Sequence, residues 1–260
     1  MELLCDLLFE LSNEDRMRML RHLRDEASNV TNLSRALRVT NQEISRHLSR
    51  LVEAGVAQRD ADGLYRLTPF GELILTQMRG LEFSTRHRDY LITHLLTDLP
   101  PAFLSRLGEL GRSEFVDDVM VALYNVERVI EEAEEYVWRL TDRYNMMALP
   151  KLEEATARGV EFRLMQSRGF ELPPDWPGAG VILSEARLEG VFKLKMSDSA
   201  NVFIAMSEKE VAALAFPKLD GRFDYLGFAS RDDRALRWCH ELYRYYWERA
   251  RFHPLFKQEE

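Results

Sequence analysis

Hydrophobic residues in the first 40 positions recur at helical spacing in three short segments. The first segment has leucine at positions 3, 4, 7, 8 and 11. Ser12, with Asp15 three residues later, predicts the N-cap of a second helix that runs through Leu23. A third helix is predicted over 31–37, and Arg38-Val39 forms a tight joint before the next segment.

The segment TNQEISRHLSRLVEAGV, residues 40–56, predicts a fourth helix with two different faces. Thr40 and Glu43 have the spacing of a capping box, in which each side chain bonds the other residue's backbone N–H. One face is apolar and consists of Ile44, Leu48, Leu51 and Val52. The opposite face is polar, and His47 lies near the edge of the apolar face, where a packing role is expected.

The residues that follow predict a β-hairpin and a fifth helix. VAQRD and LYRLT are short extended runs joined by Ala61-Asp62-Gly63, and Asp-Gly is a strong hairpin signal. Thr68 and Pro69 are typical of an N-cap and a first helical position. The order helix, helix, helix, hairpin, helix is that of a winged helix-turn-helix, which is predicted over residues 1–80.

The pattern then changes twice. Residues 81–135 contain few helix breakers and predict a helical linker, and the apolar stripe in 114–135 is expected to pack on the second domain or on a second subunit. From 136, strand-like runs surround a helix at about 146–158 and a loop at 170–180, and Ser230 with Asp233 predicts the start of a final helix. The strand-like runs are YVWRLTD, VEFRLMQ, GVILSEA, VFKLKM, NVFIAM and VAALAF. The fold class is therefore α+β, with an α/β domain over 136–260.

Composition narrows the partners. With 46% hydrophobic and 30% charged residues, and no apolar run near the ~20 residues that span a bilayer, the 260-residue chain is expected to be cytoplasmic with no membrane partner. Its acidic N-terminus also differs from a signal peptide. Cys5 and Cys239 are far apart and form no CxxC pair, so we expect two partly buried thiols rather than a disulfide or a zinc site.

The net charge of −8 gives no global signature of nucleic-acid binding. Residues 1–80 hold 11 Arg, no Lys and 12 acidic residues, a net of −1. Binding to double-stranded DNA must therefore rest on a local arginine patch. The candidates are Thr40, Asn41, Gln42, Ser45, Arg46, Ser49 and Arg50 on the fourth helix, with Arg59 and Arg66 on the hairpin. The alternative for the helix is an ordinary solvated surface.

Two stretches resemble known regulators. SRHLSRLVEAGV resembles the DNA-reading helix of arsenic-repressor-like winged-helix regulators, although the preceding NLSRALR lacks the cysteines of their metal-sensing members. FPKLDGRFDY, LGF and RWCHELYRYYW resemble the archaeal methanogenesis or filamentation regulatory proteins. That resemblance extends over essentially the whole chain. It implies a two-domain, dimeric transcription regulator whose sensor domain is related in fold to the phospholipase D superfamily.

Phospholipase D-type catalysis needs a histidine nucleophile in an HxK pattern. None of the six histidines has Lys two residues later, and neither a Gly-rich phosphate loop nor HExxH or GxSxG is present. We therefore expect a protein with no catalytic residue, no metal site and no cofactor.

A sensor would bind its effector near the carboxyl ends of the strands. Whether a small-molecule effector exists is left open. The candidate ligand residues are Arg139, Asp142, Arg143, Lys193, Lys195, Asp224 and Tyr225. Each has an ordinary alternative as a solvated strand position or a turn residue. Five aromatic residues of the last helix, Trp238, Tyr243, Tyr245, Tyr246 and Trp247, are expected to pack in the core.

The sequence thus favours a homodimeric, sequence-specific DNA-binding regulator that recognises a palindromic site. The second hypothesis is a winged helix used as a protein-interaction module without DNA. The third, a nuclease or phosphodiesterase of the phospholipase D type, lacks the HxK pattern.

Overall fold

A computed structural model describes residues 1–145, 148–171 and 190–252 of the chain. The chain is a mixed α+β protein that divides into two compact units, Met1–Leu81 and Glu82–Glu260. The strand predicted in GVILSEA and most of the loop predicted at 170–180 lie outside the described residues. No helix in the described part is both long enough and apolar enough to cross a bilayer.

The first unit contains helices and one hairpin. Its elements are α1 (Glu2–Leu11), α2 (Glu14–Asp25), α3 (Val30–Leu37), α4 (Asn41–Glu53), β1 (Ala57–Arg59), β2 (Tyr65–Leu67) and α5 (Pro69–Arg86), which continues into the second unit. The predicted N-cap of α2 is wrong by one residue. Asn13, rather than Ser12, accepts the hydrogen bond of the Arg16 backbone N–H, whereas the Ser12 hydroxyl donates back to the Phe9 carbonyl.

The core of the first unit lies between α2, α3, α4 and the hairpin. Its most deeply buried side chains are Met19, Leu20, Leu33, Ile44, Leu48, Leu51 and Val56. One predicted core residue of α4 is wrong, because Val52 is 39% exposed. Its place is taken by His47, which is buried as expected. Burial and the nearby Arg16 and Arg46 charges lower the pKa of His47, which favours the neutral imidazole.

The hairpin is fixed at both ends. β1 and β2 pair antiparallel with Gln58 opposite Arg66, and the turn contains Gly63 at a φ of +82°, a backbone conformation that suits glycine. At its base, the Thr68 hydroxyl donates to the Gly55 carbonyl and accepts from the Gly71 N–H. Thr68 therefore caps α5 and ties the start of that helix to the end of α4.

Within the described residues, the second unit is built on a sheet of eight strands. The strands are β3 (Glu114–Val116), β4 (Tyr136–Arg143), β5 (Glu161–Glu171), β6 (Phe192–Met196), β7 (Phe203–Ser207), β8 (Val211–Ala215), β9 (Gly227–Ser230) and β10 (Arg251–Phe252). Their order is β10-β6-β5-β4-β7-β8-β9-β3. β4, β5 and β6 are parallel, and the other neighbouring pairs are antiparallel.

Helices contribute to two separate hydrophobic clusters on this sheet. The helices are α6 (Arg88–Thr93), α7 (Pro101–Leu104), a 3₁₀ turn (Leu107–Leu110), α8 (Val119–Glu132), α9 (Leu149–Ala157) and α10 (Asp233–Arg249). One cluster joins α10 and the α6–α7 region to Trp138 and Leu140 of β4. The other joins α8 and α9 to Val137 of the same strand. The central strand β4 is therefore covered on both faces.

The segment 81–135 differs from the uniform helical linker that its sequence predicts. Residues 114–116 form the edge strand β3, which pairs with β9. In the following apolar stripe, Val126, Val129 and Ile130 of α8 pack on the sheet of the second unit, as one of the two predictions has it. Packing of this stripe on a second subunit stays a prediction.

The last helix packs as predicted. Trp238, Tyr243 and Tyr246 are buried in the core, whereas Tyr245 and Trp247 are half-buried against it. Cys239 lies among them, and burial raises the pKa of its thiol. The expectation for the other cysteine is wrong, because Cys5 is exposed on α1.

We predict that Gly71→Ala destabilises the first unit. A Cβ at this position would lie 2.0 Å from the Val56 carbonyl oxygen, so α5 would have to move away from the hairpin, at a cost of about 1–3 kcal/mol. At an unobstructed helical site the same change stabilises by about 0.5–1 kcal/mol. Urea unfolding of the full chain measures the sign. Gln77→Ala, at an exposed position of the same helix, is the control and should have little effect.

Candidate functional site

The start of α4 is fixed by reciprocal hydrogen bonds. The Glu43 backbone N–H donates to the Thr40 hydroxyl, and the Thr40 N–H donates to the Glu43 carboxylate, both at 3.3 Å. This confirms the predicted capping box. Hydrogen bonds from Thr40 lower the pKa of Glu43, so its carboxylate is ionised at neutral pH. The first turn of α4 is therefore held in one conformation.

The outer face of α4 presents a row of polar side chains to solvent. The exposed positions are Asn41, Gln42, Ser45, Arg46 and Ser49. The Ser49 hydroxyl donates to the Ser45 carbonyl at 3.1 Å, which leaves its lone pairs outward. In the described part of the chain Arg46 has no ion-pair partner. Five of the predicted DNA-contacting residues are thus on one accessible helix face.

Arg50 is on the same helix but has a different environment. Its guanidinium donates two hydrogen bonds to the Glu10 carboxylate, at 2.8 and 2.6 Å, and lies 5.3 Å from the centre of the Phe9 ring. Glu10 is also 3.6 Å from Nε of the buried Arg16. Arg50 therefore joins α4 to α1, and its charge is compensated within the protein.

The two hairpin arginines also differ. Arg66 is exposed but forms a two-point ion pair with Asp60, which also accepts the Leu64 N–H inside the turn. These bonds lower the pKa of Asp60. Arg59 is exposed, has no ion-pair partner among the described residues, and lies 5.8 Å from the centre of the Tyr65 ring. Arg59 is therefore the more available cation.

Two further arginines were missed in the sequence. Arg35 and Arg38 are exposed and have no ion pair within the described ranges. Arg38 is the C-cap of α3 with a φ of +59° and lies two residues before Thr40. The local net charge could have indicated them, because residues 30–67 contain six arginines and four acidic residues, a net charge of +2.

In the second unit, part of the predicted ligand set lies together at the end of β4. The Tyr225 hydroxyl donates to Asp142 Oδ1 at 2.8 Å, and Arg143 Nε donates to Asp142 Oδ2 at 3.3 Å. Tyr225 has a φ of +61°, which is strained for a non-glycine residue. Arg139, on β4 itself, is only 6% exposed.

The other predicted ligand residues lie elsewhere. Lys193 and Lys195 are on the opposite face of the sheet from Arg139, where Lys193 pairs with Glu161 at 2.8 Å and Lys195 donates to the Trp247 carbonyl at 2.9 Å. Asp224 accepts from the Leu226 N–H and lies 3.2 Å from Nε2 of His94. Lys193, Lys195 and Asp224 therefore do not share a site with Arg139.

In comparison with known proteins, one part of the chain is similar to a described family. Residues 5–88 match the family described as HVO_A0261 N-terminal domain. The match covers less than half of the chain and ends close to Leu81, where the first unit ends. No curated protein sequence matches the chain.

Solved structures with a similar course include three of different kinds. TrmBL2, described as an archaeal chromatin protein with a novel mode of DNA binding, has a TM-score of 0.41 at 16% identity and covers 93% of this chain and 94% of its own. Nuc of Salmonella typhimurium, a phospholipase D family member, has a TM-score of 0.35 at 11% identity and covers 50% of this chain and 90% of its own. The methyltransferase SibL has a TM-score of 0.30 at 14% identity and covers 74% of this chain and 62% of its own. Because these TM-scores are all below 0.5, the function has to be inferred from the chain's own residues.

We predict that Glu10→Gln destabilises the first unit in a pH-dependent way. The hydrogen bond from Arg50 lowers the pKa of Glu10 below its ordinary value of 4.5, so the ion pair stabilises the fold above that pH and is lost as pH falls through the folded value. The variant should lose roughly 1–3 kcal/mol at neutral pH and less at about pH 3.5.

Thermal unfolding of the full chain at both pH values measures this difference. Asp6→Asn, at an exposed position one turn earlier on α1, is the matched control and should change stability little at either pH. A Glu10→Gln effect of equal size at both pH values would contradict the role of the carboxylate charge.

Proposed function

We propose that this chain is a sequence-specific, double-stranded DNA-binding transcription regulator of archaeal type whose first unit is a winged helix-turn-helix. The observation that carries the proposal is the exposed face of α4. It combines Asn41, Gln42, Ser45, Arg46 and Ser49 on a helix whose first turn is fixed by a capping box. Amide, hydroxyl and guanidinium groups are those that bond base edges and phosphates in the major groove.

The charges around α4 support the same proposal. The protein as a whole is acidic, but the segment from α3 to β2 has a net charge of +2. Arg35, Arg38, Arg46 and Arg59 are exposed and, within the described ranges, without ion pairs. Such cations attract the phosphate backbone, whereas Arg50 and Arg66 are neutralised by Glu10 and Asp60.

Two other functions remain as alternatives. A winged helix used only for protein contacts would not need this local excess of unpaired arginines. A phospholipase D-type enzyme would need the HxK nucleophile that the sequence lacks, and we propose that the second unit is instead a non-catalytic sensor of phospholipase D-like fold. The resemblance in FPKLDGRFDY and RWCHELYRYYW supports a relation to the methanogenesis or filamentation regulatory proteins and an intracellular place of action.

We predict that Arg46→Ala weakens DNA binding and makes it less sensitive to salt. The full chain would first enrich duplexes from a random-sequence library, and fluorescence anisotropy would then measure affinity over a range of salt concentrations. Loss of one contact should reduce affinity at least about tenfold and lower the salt slope by about 1 for each bound subunit.

Two further variants interpret the result. Arg24→Ala, an exposed arginine on α2 beside Asp25, should leave affinity and slope nearly unchanged. Arg50→Ala should lower the melting temperature of the protein. It should lower the salt slope less than Arg46→Ala does, because the charge of Arg50 is already paired. If the chain enriches no sequence, or Arg46→Ala binds as well as the original protein, the DNA proposal is wrong.

We also propose that the protein is a homodimer that associates through α1. Four apolar residues of α1 are exposed, namely Leu3, Leu4, Leu8 and Phe9. A groove beside them is lined by Leu3, Leu7, Phe9, Ala54 and Phe70 together with charged residues of α1 and α4. The seam expected from the sequence, within 81–135, has its own exposed apolar residues on α8, namely Val119, Met120, Val121 and Tyr124.

We predict that Leu3→Glu with Leu4→Glu converts the dimer to a monomer, because two charges would be buried in the interface. Light scattering after size-exclusion chromatography measures the mass. Met120→Glu with Tyr124→Glu, the matched change on α8, should leave the dimer intact. The reverse result would assign the interface to α8, and a monomeric original protein would refute dimerisation.

A further inference from the structure

Arg139 is a charged side chain in an apolar environment, and no described residue provides a counter-ion for it. It is on β4 and points to the same side of the sheet as Val137, toward the cluster formed by α8 and α9. It is 6% exposed, and within the described residues it has neither an ion pair nor a hydrogen bond to its Nε. Burying a guanidinium in this way is unfavourable unless something compensates it.

The guanidinium lines a cavity between the sheet and α9. The cavity walls are mostly apolar and include Leu152, Phe162, Leu164, Phe192 and Leu194. The space open to the centre of a water-sized molecule is only about 20 Å³, and the 420 Å³ of space outside the atoms includes the open mouth, so an occupant is small and extends into the mouth. The rings of Phe162 and Phe192 stack at 5.6 Å and form a flat apolar wall.

Polar groups are confined to one end of the cavity. Tyr144 and Asn145, which follow the end of β4, line it beside Arg139. Gln166 donates to the Tyr144 hydroxyl at 2.8 Å and so fixes the ring. Burial lowers the pKa of Arg139 to about 10, so the guanidinium is still protonated at neutral pH. The cavity therefore offers one fixed positive charge at the end of an apolar slot.

From this arrangement we propose that the cavity binds a small carboxylate with a short apolar chain, whose carboxylate pairs with Arg139 and whose chain lies against Phe162 and Phe192. The carboxylate matches the planar guanidinium and provides the missing counter-charge. The apolar walls favour a hydrocarbon chain over a polyol or an inorganic anion. The idea that this ligand is the effector rests on the proposed regulator function, but the binding itself does not.

Three probes test the chemistry by isothermal titration calorimetry on the full chain without DNA. Butyrate has both the charge and the chain, butyramide is its neutral analogue, and inorganic phosphate is an anion without a chain. We expect butyrate to bind with a Kd on the order of 1 mM or tighter, and at least about tenfold more tightly than either of the others. Equal binding of butyramide, or no binding of butyrate, overturns the proposal.

Arg139→Met tests the residue. It should reduce butyrate affinity at least about tenfold and leave the melting temperature of the unliganded protein unchanged or higher, because an uncompensated buried charge is removed. A variant that keeps its butyrate affinity, or that unfolds because Arg139 is structural, refutes the proposal. Arg163→Met is the matched control, since Arg163 is on the opposite face of the neighbouring strand and pairs with Glu161.

The result is independent of DNA binding. If butyrate binds but no DNA sequence is enriched, the carboxylate site stands and the regulator function fails. If DNA is bound but butyrate is not, the regulator function stands and the site fails.

Discussion

The second unit depends on the burial of strand β4 on both faces. β4 pairs with β5 on one side and with β7 on the other, so its backbone groups are bonded along both edges. Side chains of either parity therefore meet a hydrophobic cluster, Val137 on the α8–α9 side and Leu140 on the α10 side. On such a strand a charged residue is unfavourable on either face. Two buried residues of β4 are nevertheless charged. Asp142 accepts hydrogen bonds from Tyr225 and Arg143, whereas Arg139 has no ion pair among the described residues, and its position gives the α9 side of the sheet a chemistry that the packing does not require.

In the first unit, one helix face has two different environments because its neighbours differ along its length. Arg46 and Arg50 are one turn apart on α4 and nearly superimposed in a helical projection. Arg50 meets α1 and pairs with Glu10, whereas no acidic residue in the described ranges is close enough to pair with Arg46. The same pairing brings a carboxylate near the buried Arg16. Loss of Arg50 would therefore disturb structure before it revealed any direct role in binding DNA.

Local features were predictable from the sequence, and non-local ones were not. The capping box of Thr40 and Glu43, the hairpin at Gly63 and the buried aromatics of α10 each depend on residues a few positions apart. Lys193 and Arg139 appeared as candidates for one site because both follow strand patterns. They lie on opposite faces because of the register between β4, β5 and β6, which is set by tertiary pairing. For the same reason, the partner of Arg50 could not be read from α4 alone.

The acidity of the protein limits how the regulator that we propose can bind DNA. If the four exposed arginines around α4, namely Arg35, Arg38, Arg46 and Arg59, each reach a phosphate, one subunit releases about four counter-ions. The corresponding salt slope is about −3 to −4 for one subunit and about twice that for a dimer. A single subunit with so few contacts, attached to a second unit of net negative charge, has little non-specific attraction to hold it on DNA. For the DNA-binding homodimer that we propose, tight binding then requires both subunits at once, and a ligand that changed how the pair is held would change affinity without touching α4.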